Sequence, residues 1–511
     1  MDQSILWGGF LRICQATVQA APFLLTGLFV AAIFRRLLGE DKTRNLFGSG
    51  SMSSIVKAWL IGMLLPVCSL GVIPVVRQMK KSRISGGTIL AFALAAPLFN
   101  PLSLMYGLTL SKPWTILVFS IMSLLVITVA GLFWDRIHRQ TEIQYEQEPL
   151  MPKGLPRIIS VGLHASRELA GPTLGLIFMG LLGVGILSFA LPMGSLQNDM
   201  GHDNPMAPII MTAVALPAYA SPMTAMGQLG SMFQHGNSIG AAFILLTFGA
   251  GMNLGLIWWM IGNYGIKATG TWISLLLGVV LLLSYAIERP LYPADAEPAN
   301  HTHAFDIYCQ PFERGSTALA QSVKNKLKQD TQPFEIVSLE ILAVILVSGI
   351  GLRIFDPHQK LETWLAKPRP DSSQSCWNID VPGPVLGLTG LAMIVVISIV
   401  GCFAFYPEKN ECMEELRLAK VEAFTAAISG NHAQVARWIP VCEDWLRRMQ
   451  VGVYLREWFL SDYHRARAKV FQRWLELIKH EAEEGNQDEI RKLVSNADQT
   501  YMRLSRAFRT E

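Results

Sequence analysis

Charge is what this sequence has little of. Only 16% of its 511 residues are charged, 51% are hydrophobic, and the mean hydropathy is +0.33. Soluble domains carry about 25% charged residues, so a wholly soluble protein is excluded. An integral membrane protein with attached soluble mass is expected instead. The net charge of +4 is small for this length, and it gives nucleic acid no electrostatic footing. Seven cysteines include no Cys-x-x-Cys pair, which removes a disulfide framework and a zinc ribbon. Paired carboxylates, a nucleophile–base pair, a Gly-rich phosphate loop and a Walker motif are all missing. The expectation is no enzyme, no cofactor and no ATP-driven step in this chain. A basic stretch before Phe10 is also missing, so the first apolar run reads as a retained span and not as a cleavable signal.

What the sequence does hold is apolar runs, at 10–34, 58–76, 84–110, 114–134, 172–192, 208–233, 239–260, 271–287, 336–355 and 385–406. Most reach the roughly 20 residues that a helical span needs. Two are interrupted. The second contains Pro66, Gly71 and Pro74, and the sixth contains Pro217, Pro222 and Gly227. Proline removes a backbone donor and clashes with the preceding turn, so both runs should bend or turn back.

Loop charge decides between those shapes. Arg35, Arg36, Lys42 and Arg44 follow run one; Arg77, Lys80, Lys81 and Arg83 follow run two; Arg136, Arg139, Lys153, Arg157 and Arg167 follow run four. All three clusters should be cytoplasmic. That requires run two to be a hairpin that enters and leaves on the cytoplasmic face. In the second half the loop 193–207 carries Asp199 and Asp203 but no Lys or Arg, and 234–238 is uncharged, so both read as outside. Lys112 is one violation. After residue 288 the count leaves 289–335 outside and would return the C-terminus outside, whereas the arginine-rich tail favours the cytoplasm. One of the last two runs is then expected not to cross, and Glu340 points to 336–355.

The two halves resemble each other. Pro66 to Pro217 and Phe92 to Phe243 share one spacing, and Asn100 to Asn253 needs two residues more. Two inverted repeats, each with a broken helical hairpin, mark the binding site of many secondary transporters. Two unrelated apolar hairpins sharing proline and glycine by chance is the plain alternative. The apolar parts of the two hairpins, and the runs after them, contain no Asp, Glu, Lys, Arg or His. A carboxylate relay through the centre is therefore not expected. The polar groups are Cys68, Ser69, Asn100, Ser103 and Tyr106 in the first half, and Tyr219, Ser221, Thr224 and Asn253 in the second. From these, Cys68, Ser69, Asn100, Tyr219, Ser221 and Asn253 are taken as the solute pathway. The broken helices can hold an anion or a polar neutral solute. Interhelical hydrogen bonding is the other use for the two asparagines, and inert packing the other use for Cys68.

The string Leu65-Pro66-Val67-Cys68-Ser69-Leu70-Gly71-Val72-Ile73-Pro74, then Ala91-Phe92 and Ala95-Ala96-Pro97-Leu98-Phe99-Asn100-Pro101, resembles the signature of the ArsP-type permease family. Leu216-Pro217-Ala218-Tyr219-Ala220-Ser221-Pro222 is similar to that family's second hairpin. The resemblance covers about residues 10–290. It implies a permease, and the family's better-known members export trivalent organoarsenicals. The family pattern often reads Cys-Ser-Cys-Gly. Leu70 stands at the second cysteine here, which leaves Cys68 to make a single bond where two thiolates would chelate.

The sequence thus predicts an all-α polytopic protein of the plasma or inner membrane. A permease core would fill 1–290 (repeats at about 10–135 and 165–290), loops with two further apolar helices 291–406, and a helical soluble tail 407–511. Its partners would be membrane lipids and a small solute, the efflux of a metalloid or other thiophilic compound being one form. A channel or scaffold recruiting proteins through the tail is the alternative. His301, His303 and Cys309, with Asp306, form the one weak metal candidate; a polar loop is the plainer reading. In the tail, Gly430-Asn431 and Gly485-Asn486 suit left-handed helix ends, giving two helical hairpins. Trp438, Trp445, Trp458 and Trp474 are expected in their core. Arg447, Arg448, Arg465, Arg467 and Lys469 are placed on solvated faces or against anionic headgroups.

Overall fold

Proline, glycine and capping side chains decide where the helices stop. The computed structural model describes residues 3–48, 50–110, 113–138, 155–192, 194–292, 303–312, 315, 318–366 and 382–509. Their regular structure is helical, with one isolated bridge, Gly201 to Asn237, and no named strand among the described residues. The chain divides into two units, Met1–Val396 and Ile397–Glu511.

In the first unit α1 (Gln3–Ile33) continues through a π-helical turn (Phe34–Leu38) into α2 (Gly39–Phe47). Arg35 and Arg36 therefore lie within continuous helix, not in a loop. Next come α3 (Met52–Leu64), α4 (Val72–Lys81), α5 (Gly86–Leu98), α6 (Pro101–Leu110) and α7 (Pro113–Ile137). Then follow α8 (Leu155–Glu168), α9 (Leu174–Ala190), α10 (Ala207–Ala215), α11 (Pro222–Gln234), α12 (Ile239–Ile244) with a π extension to Ala250, α13 (Leu254–Tyr264) and α14 (Ile266–Glu288). The unit closes with α15 (Leu319–Asp330), α16 (Pro333–Phe355), α17 (Lys360–Ala366) and α18 (Gly383–Phe405), the last running on into the second unit. Among the described residues six helical stretches are long and apolar enough to cross a membrane, or seven if the α12–α13 pair, bent by 61°, is one span. The protein is an all-α polytopic membrane protein.

The breaks follow from local chemistry. Leu65 precedes Pro66 and is held extended (φ −97°, ψ 125°), so α3 ends there. Pro74 does not break a helix. It lies in the first turn of α4, where the missing N–H has no helical partner to lose. Pro222 likewise starts α11, behind the cap Ser221.

The chain enters and leaves each hairpin at one end. A Cβ on Gly50, just before α3, would lie 3.1 Å from Cβ of Ser85, just after α4. Gly201, before α10, is bridged to Asn237, after α11, and Ser238 donates to the Met200 carbonyl at 2.9 Å. These two bases lie at opposite ends of α7. Phe119, early in α7, stacks on Phe233 and Phe243. Trp134, at its end, stacks on Tyr264 and stands where a side chain on Gly86 would be.

The run at 336–355, the one Glu340 made suspect as a span, forms α16, one of the helices long and apolar enough to cross a membrane, and it runs alongside α1. Near its start Gln15 donates to Asp330 at 2.6 Å, and beyond its end Arg36 pairs with Glu362 at 2.5 Å. Glu340 sits on the exposed face and does not interrupt the helix.

The second unit holds the end of α18 and four helices, α19 (Lys409–Ile428), α20 (His432–Glu457), α21 (Asp462–Glu484) and α22 (Gln487–Arg509). Gly430 and Gly485 take φ of 72° and 79° at the two hairpin turns, a conformation open to glycine without a Cβ clash. Leu416, Ile439, Leu446, Phe471, Leu475 and Leu504 lie in the shared core. Trp438, Trp445 and Trp474 pack against it. Trp458 does not: it is 76% exposed, because it ends α20 at a left-handed residue and turns outward.

Candidate solute site between two hairpin tips

Each hairpin tip is held by a glycine on a long neighbouring helix. A Cβ on Gly27 of α1 would lie 2.0 Å from the carbonyl oxygen of Gly71, and one on Gly183 of α9 would lie 1.8 Å from that of Pro217. Only glycine lets backbone come this close. The first tip, 65–71, is buried throughout. Within it the Gly71 N–H donates to Cys68 Sγ at 3.3 Å. In the second tip the Ala220 N–H donates to the Gly249 carbonyl at 3.0 Å, which ties the tip to the broken helix after it.

The tips meet. The Cys68 thiol lies beside the Tyr219 hydroxyl, and that hydroxyl has no well-formed hydrogen bond. Leu70 of the first tip and Asn253 of the second half both abut Gly180 of α9. Ser221 is turned elsewhere. Its Oγ accepts from the Thr224 N–H at 3.1 Å, and the Thr224 hydroxyl donates to Gln19 at 3.2 Å.

Asn100 and Asn253 do the same job in the two halves. Asn100 Oδ1 accepts from the Ser103 N–H and Asn253 Oδ1 from the Leu256 N–H, both at 2.9 Å. Each caps the second segment of a broken helix. The Nδ2 donors of both residues are buried without a partner, as is Ser69 Oγ. A buried donor left unpaired costs about 1–3 kcal/mol. Four such groups, with one thiol, offer hydrogen bonds and a single soft ligand atom in the buried interior. The contacts join Cys68 to Tyr219, and Leu70 and Asn253 both lie against Gly180; those of Asn100 and Ser221 stay within their own segments.

Sequence reasoning missed two carboxylates. Asp135, at the end of α7, accepts from the Gly87 N–H at 2.7 Å and from the Ser85 hydroxyl at 3.0 Å. Glu288, at the end of α14, accepts from the Gly240 N–H at 2.6 Å and from the Ser238 hydroxyl at 2.7 Å. Each acid caps the start of a broken helix, where backbone N–H groups are unpaired and the helix dipole favours negative charge. Ser85, Asn100 and Asp135 are separated from Ser238, Asn253 and Glu288 by one constant spacing. On that spacing Phe92 matches Leu245 and not Phe243, so the two extra residues lie within the second hairpin, whose arm α11 is longer than α4. The equal Ser-to-acid spacing was the signal that could have found the pair.

Charges gather at the first hairpin's base. Arg77 pairs with Glu168 at 2.7 Å, Arg167 with Asp356 at 2.9 Å and with Glu362 at 3.2 Å. Of the metal candidates, His301 lies outside the described residues, as does the side chain of His303. Cys309 is buried, with its carbonyl accepting from Arg12 at 3.1 Å. Among the described residues, the one close grouping of metal-type ligands is His480, Glu481 and Glu484, on the surface of α21 and away from this loop in sequence.

Comparison with known proteins agrees with a membrane permease. Residues 7–289, more than half of the chain, match the ArsP-type family described as "Predicted permease". Over 134 residues the chain is 22% identical to the UPF0718 protein YcgR of Bacillus subtilis, a match covering 26% of this chain and 46% of that protein. Over 87 residues it is 24% identical to the "Putative two-component membrane permease complex subunit" of Streptococcus mutans, covering 17% of this chain and 29% of that protein. The chain thus spans less than half the length of these curated relatives. No solved structure matches it.

Proposed function

This chain is a member of the ArsP-type predicted permease family, and on that premise we propose that it is a secondary transporter of the plasma or inner membrane, carrying one small solute between its two hairpin tips. The observation that carries the reading is the meeting of the tips, Cys68 against Tyr219, between hairpins whose bases lie at opposite ends of α7. Two inverted halves with a shared central site are the arrangement that lets access alternate by rocking one half against the other.

The solute is a thiophilic compound, such as a trivalent metalloid species carrying oxygen, and its direction is outward. Cys68 supplies one bond: the thiol proton leaves with a hydroxide of the metalloid as water, and the sulfur–metalloid bond takes its place. The unpaired donors of Tyr219, Ser69, Asn100 and Asn253 hold the remaining oxygen atoms. One bond captures and still releases, where a chelating pair would retain a soft ion.

Flux of a trivalent arsenical or antimonial into liposomes holding the full chain tests this. Cys68→Ser is expected to abolish flux with folding nearly unchanged, because the side-chain volumes are close. Cys402→Ser in α18 should leave flux as it was. Equal flux from Cys68→Ser would reduce the thiol to packing and leave an anionic or oxygen-rich solute for the same donors. Absence of any solute flux, with or without the tail, would favour a scaffold.

A further inference from the structure

The turn between α20 and α21 exposes three aromatic rings that the tail's own core does not use. Trp458 is 76% exposed, Phe459 68% and Tyr463 54%. Leu460 between them is buried and fixes the turn to the core. Trp458 takes φ 56°, ψ 6°, a left-handed conformation that a bulky residue rarely adopts and that needs a compensating reason. No burial within the tail supplies that reason.

The place of this turn supplies it. Arg456, two residues before Trp458, donates to the carbonyls of Tyr406, Pro407 and Phe403 at 2.8, 3.2 and 3.4 Å. These are the carbonyls at the C-terminal end of α18, an apolar helix long enough to span a membrane. A Cβ on Gly452 would lie 2.3 Å from the Pro407 carbonyl oxygen, so this part of α20 rests on the helix end. Arg448, one turn earlier, stacks over Phe405 at 4.2 Å and over Trp445 at 4.8 Å. The aromatic turn therefore follows directly on the part of α20 that rests on the end of α18. Tryptophan and other amphipathic rings favour the level at which a spanning helix leaves the hydrocarbon.

We propose that Trp458, Phe459 and Tyr463 form an interfacial anchor that inserts into the lipid headgroup layer beside the end of α18 and holds the helical tail against the bilayer. Apolar insertion dominates, since Glu457 and Asp462 flank the turn and offset its arginines.

The test uses the full chain in phosphatidylcholine nanodiscs. Phe459→Cys carries an environment-sensitive fluorophore, in a background with Cys14 and Cys376 changed to Ser. Ile428→Cys, half-exposed at the far end of α19 and roughly 28 Å along that helix from Lys409, carries the same label as control. Nitroxide lipids labelled near the headgroup should quench position 459 at least twofold more than position 428, and aqueous iodide should do the reverse. Both results should persist at high salt. Trp458→Cys repeats the measurement should the first variant fold poorly. Iodide quenching of 459 equal to that of 428 would overturn the proposal. So would shielding of 459 from both quenchers, which would indicate a protein partner.

Discussion

Gly27 and Gly183 set how closely α1 and α9 approach the two hairpin tips. An added Cβ would meet backbone carbonyls at 2.0 and 1.8 Å, and a backbone atom within a buried turn cannot move aside cheaply. Overpacking of this kind costs about 1–3 kcal/mol. Gly27→Ala and Gly183→Ala should each lower the unfolding temperature in detergent, whereas Gly262→Ala, with nothing within 4 Å, should not. Equal melting of all three would mean that the close approach is not rigid. In the tail, burial pushes the Cys412 and Cys442 thiols up to about 12 from an ordinary value of 9.0. Below pH 9 both thiols are protonated, folded or unfolded, and stability does not change. Between pH 9 and about 12 only the unfolded chain ionises them, so stability falls as pH rises. Iodoacetamide at pH 8 should leave both unmodified in the full chain until denaturant is added. Rapid modification of either in the native protein would contradict their burial. At this scale Asn100 and Asn253 were legible, being lone amides in apolar runs. Trp458 was not, because an aromatic residue on an amphipathic helix reads as core until its backbone angle is known.

Between helices, the two broken segments are capped alike. Asp135 and Glu288 hold the starts of α5 and α12 through the same pair of groups, a serine hydroxyl and a glycine N–H, and they do so at opposite ends of α7. A carboxylate at such a site contributes about 0.5–2 kcal/mol. That is enough to bias two access states of similar energy by a factor of a few up to tens. Asp135→Asn and Glu288→Gln should therefore shift the accessibility of Cys68 to an impermeant maleimide in opposite senses, and the double variant should return toward the starting value. Shifts in the same sense would show that the caps stabilise the fold without biasing its states. The broken segments were legible because proline and glycine interrupt otherwise helical runs, and Leu65 before Pro66 leaves little choice. The continuation of α1 through Arg35 and Arg36 was not legible. Arg36 is paired by Glu362, distant in sequence, and that pairing allows charged helix where charge alone suggests a loop.

Across the whole first unit, the ends of the hairpins differ sharply in charge. The first base gathers Arg36, Arg77, Arg157 and Arg167, partly balanced by Glu168, Asp356 and Glu362. The second base has Asp199, His202 and Asp203 with neither Lys nor Arg between 193 and 207. By the positive-inside rule the first base is expected to face the cytoplasm, and α7 runs between the two levels. The carboxylates matter little to that rule, which counts Lys and Arg in short loops. The lipid-facing helices fit the same frame: only 17% of the apolar stretch of α16 is buried, against 67% for that of Gln3–Phe47, which includes α1, so α1 lies inside the bundle and α16 at its edge. The course of α16 alongside α1 was the least legible feature, since Glu340 argued against an unbroken apolar helix there, and it is fixed by two pairs distant in sequence, Gln15 with Asp330 and Arg36 with Glu362. Lys81, exposed beside the first base, and Asp203, exposed beside the second, provide the test. In intact cells Asp203→Cys should react with an impermeant maleimide, and Lys81→Cys should react only after the membrane is opened. Labelling of both positions from outside would mean that the first hairpin enters from the wrong face, and a site shared by two opposed hairpins would no longer follow.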